Sequence, residues 1–135
     1  MTTRAHALAA LLVGLTCTSC YLGSRAENLE PALGPHGARV RLALGAQPVE
    51  LLTVSDTALL VRRPAGTIVL ASYRTLTSVS VVQLGNDYAY AGRGKTPDPA
   101  LRERWRLVAR YPQGLRPDQL AQLLQAAKQS ALEIR

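Results

Sequence analysis

The sequence predicts a mainly β fold with one C-terminal α-helix: an antiparallel meander forming a small barrel or sandwich, capped by that helix. Three observations predict it. From Pro48 to Leu84 the chain is a series of short runs rich in Val, Leu, Ile and Thr, broken at Ser55-Asp56 and Pro64-Ala65-Gly66 by turn-forming residues. The breaks recur at intervals of about eight to twelve residues, too short for crossover helices, so sequence neighbours pair antiparallel. From Pro117 onward the apolar residues change to helical spacing.

Taken in order, the first strand is expected at Arg39 to Leu44, where Val40, Leu42 and Leu44 alternate with Arg39 and Arg41. The central strands follow at Val49 to Val54, Thr57 to Arg63, Thr67 to Ser72 and Leu76 to Leu84, with a further strand near Tyr88 to Ala91. Leu59 and Val61 share one face while Leu60 sides with Arg62, as in a strand partly covered on both sides. Gly92 to Pro99 is read as a loop because it holds two Gly and two Pro. From Arg104 to Tyr111 an alternating strand is expected, with Trp105, Leu107, Ala109 and Tyr111 on one face and Arg104, Arg106 and Arg110 on the other. The helix is expected over residues 117–131. Pro117 suits its first position, Asp118 complements its positive end, and Leu115 and Leu120 are spaced as a hydrophobic staple. Its apolar stripe is Leu120, Leu123, Leu124, Ala127 and Ala131, opposite Gln119, Gln122, Gln125 and Gln129.

The 135 residues suffice for one domain and one core, which must be aliphatic because Phe is absent and aromatic content is 4%. Sixteen Lys and Arg against nine Asp and Glu give a net charge of +7; loss of Arg4 with a leader leaves fifteen against nine, or +6. That balance favours anionic partners. Six of the Arg side chains, Arg62, Arg63, Arg74, Arg104, Arg106 and Arg110, form a possible anion-binding face, since planar guanidinium forks suit oxyanions. The same Arg-rich pattern is what the solvated side of an edge strand shows.

Residues 1–20 read as a leader. Arg4 precedes Ala7 to Leu15, an apolar stretch too short to span a bilayer, which is the pattern of a signal peptide. The following Thr16-Cys17-Thr18-Ser19-Cys20 resembles the lipobox of bacterial lipoproteins, with small residues before Cys20. The resemblance implies acylation of Cys20 and stable attachment to a membrane through several acyl chains. Cys17 is the other candidate. Tyr21 stands where that family's inner-membrane signal has Asp, which leans toward the outer membrane. Cleavage after Ala26, in Ser24-Arg25-Ala26, would instead release a soluble periplasmic protein. Residues 21–38 read as a flexible tether, and residues 39–135 as the single β domain.

No catalytic constellation, cofactor or metal site is expected. Cys17 and Cys20 lack the further ligands zinc needs, and His36 lies in a Gly-Pro setting. Asp56, Asp87 and Asp98 sit in turns, where Asp bonds its own backbone. Gly94-Lys95-Thr96 mimics the end of a phosphate loop, but Ala89 stands where that motif needs Gly, so no nucleotide is expected. Nor is nucleic acid expected as a partner.

Leu51-Leu52-Thr53-Val54-Ser55-Asp56 leading into Leu59-Leu60-Val61, then Ile68 to Ser72, Tyr73 and Leu76 to Val81, resembles the strand succession of bacterial pleckstrin-homology-like domains. That family implies a small barrel plugged by its final helix; a Sm-like or SH3-like barrel has the same central pattern. Such folds host many functions. The expectation is a non-enzymatic binding or scaffolding lipoprotein of the cell envelope, holding an unknown protein partner. The alternative is a binder of anionic lipid or lipopolysaccharide through the Arg-rich face.

Overall fold

The computed structural model describes residues 36–135. Cys20, the alternative cleavage after Ala26 and tether residues 21–35 lie outside the described residues.

The fold is mainly β, built on one open, mixed sheet. Its strands are β1 (Arg39–Arg41), β2 (Val49–Val54), β3 (Ala58–Arg62), β4 (Ile68–Ser72), β5 (Ser80–Val81) and β6 (Glu133–Ile134), and its helices are α1 (Pro99–Val108) and α2 (Pro117–Ala126). The order across the sheet is β5-β1-β2-β3-β4-β6. Every pairing is antiparallel except that of β6, which runs parallel to β4. Among the described residues no closed barrel forms: the two-residue strands β5 and β6 lie unpaired with each other at opposite edges of the sheet.

The meander β2-β3-β4 is the part the sequence announces most clearly. Ser55 sets its first turn: its Oγ accepts the N–H groups of Thr57 at 3.3 Å and Ala58 at 3.0 Å, the local bonding that makes Ser a turn residue. The second turn is closed by the Gly66 N–H donating to Arg63 O at 2.8 Å. Gly66 takes φ +98°, a region that costs glycine least.

Each sheet face carries its own apolar layer. On one, Leu51, Val54, Leu59, Val61, Val69 and Ala71 pack with Tyr73, Val79, Tyr90 and Trp105. On the other, Leu52, Leu60, Ile68 and Leu115 are covered by Leu120, Leu123, Leu124 and Ala127 of the α2 region, together with Tyr111 and Leu132. Leu115 and Leu120 join that same cluster, at staple spacing across the start of α2. The helix thus lies over a sheet face.

The strand expected at Arg104–Tyr111 is a correction: residues 99–108 are helix α1. Asp98 followed by Pro99 is a helix-start pattern, and Leu101, Trp105 and Val108 recur at helical spacing and pack on the core. Only residues 109–111 behave as extended chain. Ala109 has φ −71° and ψ 154°, and the N–H groups of Arg110 and Tyr111 donate to Leu51 O and Leu52 O at 3.0 and 2.8 Å. A bulge in β2 between Leu51 and Thr53 accompanies these bonds from two successive carbonyls to one incoming segment.

Further corrections concern extents. The run Leu76–Leu84 keeps only β5, because it serves two partners in turn: Val79 pairs with Tyr90, then Val81 pairs with Val40 of β1. The strand near Tyr88–Ala91 shrinks to that Tyr90 bridge, preceded by a 3-10 turn at Asn86–Tyr88. The terminal helix ends at Ala126, not at residue 131. Ala38 donates to Val108 O at 2.8 Å and accepts from Leu51 N–H, so the packed body already includes residues placed in the expected tether.

Candidate functional site

The six Arg side chains expected to share a face are dispersed. Arg106 is buried and ion-paired with Glu103 on the same helix, with its Nε unpartnered. Arg104 Nη1 donates to Asp87 O at 2.9 Å, and Arg74 is exposed beside the loop that holds Gly94. The row from Arg104 to Arg110 required strand alternation, and the helical turn of α1 removes it.

Arg62 and Arg110 do converge, together with residues the sequence did not mark, whereas Arg63 lines the same cleft but pairs with Glu133 at 3.2 Å. The meeting point of Arg62 and Arg110 is Glu50, whose side chain is 12% exposed. Its Oε2 pairs with Arg62, while its Oε1 accepts the Gly37 N–H at 3.0 Å and lies 3.9 Å from Arg110 and 3.8 Å from His36 Nδ1. A carboxylate this enclosed requires such partners, since an unpaired buried charge is costly. Gly37 is required by the approach: a Cβ there would lie 2.0 Å from Leu51 O and 2.7 Å from Arg110 N. Around the pair opens a cleft of about 650 Å³ lined by His36, Arg39, Pro48, Arg62, Arg63 and Pro64. Three guanidinium groups against one carboxylate leave it electropositive.

Counted back from the Ser55-Asp56 turn without interruption, Glu50 would stand opposite Arg63. The bulge in β2 moves the register by one and sets Glu50 opposite Arg62. A bulge has no signature in Leu51-Leu52-Thr53, and so the centre of this cluster was not legible in the sequence.

The opposite sheet face carries a second concavity. α1 and the aromatic layer leave one end of that face open as an apolar groove of about 340 Å³, lined by Leu42, Val49, Val61, Val69, Ala71 and Leu76, with Arg63 and Arg135 at its rim. The groove runs beside the outer edge of β4, whose backbone groups would otherwise be free to pair. Here Gln129 acts as a false peptide group: its Oε1 accepts the Ile68 N–H at 2.7 Å and its Nε2 donates to Ile68 O at 3.0 Å. Beyond it, Arg135 donates its N–H to Leu70 O at 3.0 Å and accepts from Ser72 N–H at 2.8 Å.

Gly94 has a structural role. It takes φ +84°, donates its N–H to Leu76 O at 2.8 Å, and leaves only 2.8 Å between a Cβ position and Arg74 O. Among the described residues no three His, Cys, Asp or Glu side chains gather as a metal site, and no helix is long and apolar enough to cross a membrane. No protein family, curated protein or solved structure matches this chain.

Proposed function

We propose that this chain is an envelope-anchored, non-enzymatic binding or scaffolding lipoprotein, acylated at Cys20, whose ligand is a protein. The observation that carries the protein-binding reading is the groove between Val49, Val61 and Val69, an apolar surface left uncovered beside a sheet edge. Apolar concavities next to strand edges suit extended polypeptide, which supplies backbone bonds and alternate side chains together. The non-enzymatic reading draws on the exposed positions of Asp56 and Asp87 in turns and of Asp98 at the start of α1, and on Glu50 being taken up by its own cations. Kinship with pleckstrin-homology-like domains is part of the proposal, supported by the β2-β3-β4 meander and the helix packed over the sheet, while α1 and the open sheet set this chain apart.

A photo-crosslinking side chain at Thr75, which lines the groove, tests the reading in the native envelope, with Gln122 on exposed α2 as control. One defined protein adduct from position 75 and none from 122 is the expected result; equal labelling would overturn it. Intact mass tests the anchor. Acyl chains on Cys20, abolished by Cys20→Ser, are expected, and an unacylated chain beginning at Glu27 would refute lipidation.

The electropositive cleft favours a second reading, recognition of an anionic lipid or lipopolysaccharide by Arg39, Arg62 and Arg63. It predicts that the Cys20→Ser chain co-sediments with anionic vesicles at low salt and is released at high salt. Absence of salt-sensitive binding retires it.

A further inference from the structure

We infer that the outer edge of β4 is a strand-addition site for an extended peptide carrying an acidic residue and, two positions later, an aliphatic one, and that residues 133–135 fill it in cis. The inference rests on the protein-binding reading and names the chemistry of the partner. Two observations carry it independently. The edge already holds an extended segment: β6 lies parallel to β4 with Val69 opposite Glu133 and Leu70 opposite Ile134, and the backbone of Arg135 bonds to Leu70 and Ser72. The groove then lies on the side where alternate residues of such a segment fall. Val69 and Ala71 line it, Glu133 reaches Arg63 at its rim at 3.2 Å, and Arg135 lines it directly.

The occupant in cis fits the backbone and the acidic position but not the apolar space. At the position that meets Leu42, Val61 and Leu76 it offers the charged Arg135, whose guanidinium turns back to Glu133 at 2.7 Å. Ile134, its one large apolar side chain, is 74% exposed and contributes little burial. A segment held by few ladder bonds and an ion pair at the surface is one that a better-matched strand can displace. Arg63 selects the acidic residue, and the groove selects the aliphatic residue two positions on, because strand side chains alternate with period two.

The probes are a fluorescent peptide copying Ser130–Arg135 and the same peptide with Leu in place of its last Arg. The proteins are the full chain and its Arg135→Pro variant, which loses the N–H given to Leu70. The Leu-ending peptide is expected to bind the variant at least tenfold more tightly than the unaltered chain, and at least tenfold more tightly than the Arg-ending peptide does. Adding Arg63→Glu should transfer the preference to a peptide with Lys at the acidic position. Equal affinities for both chains, with native far-UV signals, overturn the inference. Should Arg135→Pro fail to fold, amide shifts at Leu70 and Ser72, whose backbone groups face the outer edge, in the unaltered chain titrated with the Leu-ending peptide replace it, and their absence at saturation is equally decisive against it. If these peptides fail while Thr75 still captures one defined partner, the inference falls and the protein-binding reading stands.

Discussion

Tyr73 is enclosed beneath Trp105, their ring centroids 6.5 Å apart, with its hydroxyl donating to Ser55 O at 2.7 Å. That bond ties the residue after β4 to the turn before β3, so one side chain clamps the end of the β3-β4 pair where Ala58 stands opposite Ser72. Burial, the largest cause, favours the neutral phenol and raises its pKa well above the ordinary 10; Asp56 adds to the rise, while Arg102 and Arg106 oppose it. The sign follows from linkage. A raised folded-state pKa leaves Tyr73's contribution intact below about pH 10; above that the unfolded phenol ionises and the folded one does not, so stability falls as pH rises. The expected loss from this group approaches about 1.4 kcal/mol per pH unit in the alkaline range. Tyr73→Phe should begin about 1 kcal/mol less stable near neutrality, for want of the bond to Ser55, and then decline less steeply. Urea denaturation of both proteins from about pH 8 to about pH 11 reads the two slopes. Parallel alkaline declines would show that Tyr73 ionises as readily folded as unfolded.

Among the elements, α2 shows why ends are harder to read than middles. Gln119 Oε1 accepts the Arg116 N–H at 2.9 Å, one half of a capping box. The reciprocal half cannot form, because a guanidinium has no acceptor. At the other end the Lys128 N–H donates to Gln125 O at 3.0 Å and the Gln129 N–H to Leu124 O at 2.9 Å, the pair of bonds that closes a Schellman motif. Lys128 sits at φ +56°, where glycine is the usual occupant. Lys128→Gly should therefore stabilise the fold by about 1 kcal/mol, seen as a higher urea midpoint. A lower midpoint would mean that the Lys side chain contributes more there than its backbone costs. Ala126-Ala127-Lys128 are all good helix formers, so nothing in the sequence marks the stop, and what imposes it is the need to bring Gln129 against Ile68. The strand pattern over α1 has a different origin. In residues 104–111 a period of two and a period near 3.6 both fit, and Pro99 suits a loop and the first position of a helix alike. The meander was legible because its turn residues and β-branched runs agree with each other. The pairing of Glu50 with Arg62 was not, since it depends on a bulge that only tertiary contacts fix.

At the scale of the whole molecule, one thin sheet serves two apolar layers. Trp105 is the centre of the first, fully buried, donating its Nε1–H to Tyr88 O at 2.8 Å and meeting Tyr90 edge-on at 6.2 Å between ring centroids. Leu115 is buried in the second, across the sheet. The two layers share β2, β3 and β4: Leu51 and Leu59 belong to one, Leu52 and Leu60 to the other. Neither layer can come apart without stripping a face from those strands, and a sheet exposed on one side here would present Leu and Val to water. Unfolding should therefore be a single transition, as expected for a domain of this size. Leu115→Ala provides the test, because it opens a cavity in the second layer and should cost about 2–5 kcal/mol. Trp105 fluorescence reports the first layer and far-UV circular dichroism reports the helices and strands together. With one cooperative unit, Leu115→Ala moves both signals to the same lower urea midpoint, although Trp105 lies on the other face. If the far-UV signal falls first and the fluorescence stays at the unaltered midpoint, α2 is a separable layer, and the sheet is held by α1 and the Trp105 cluster alone.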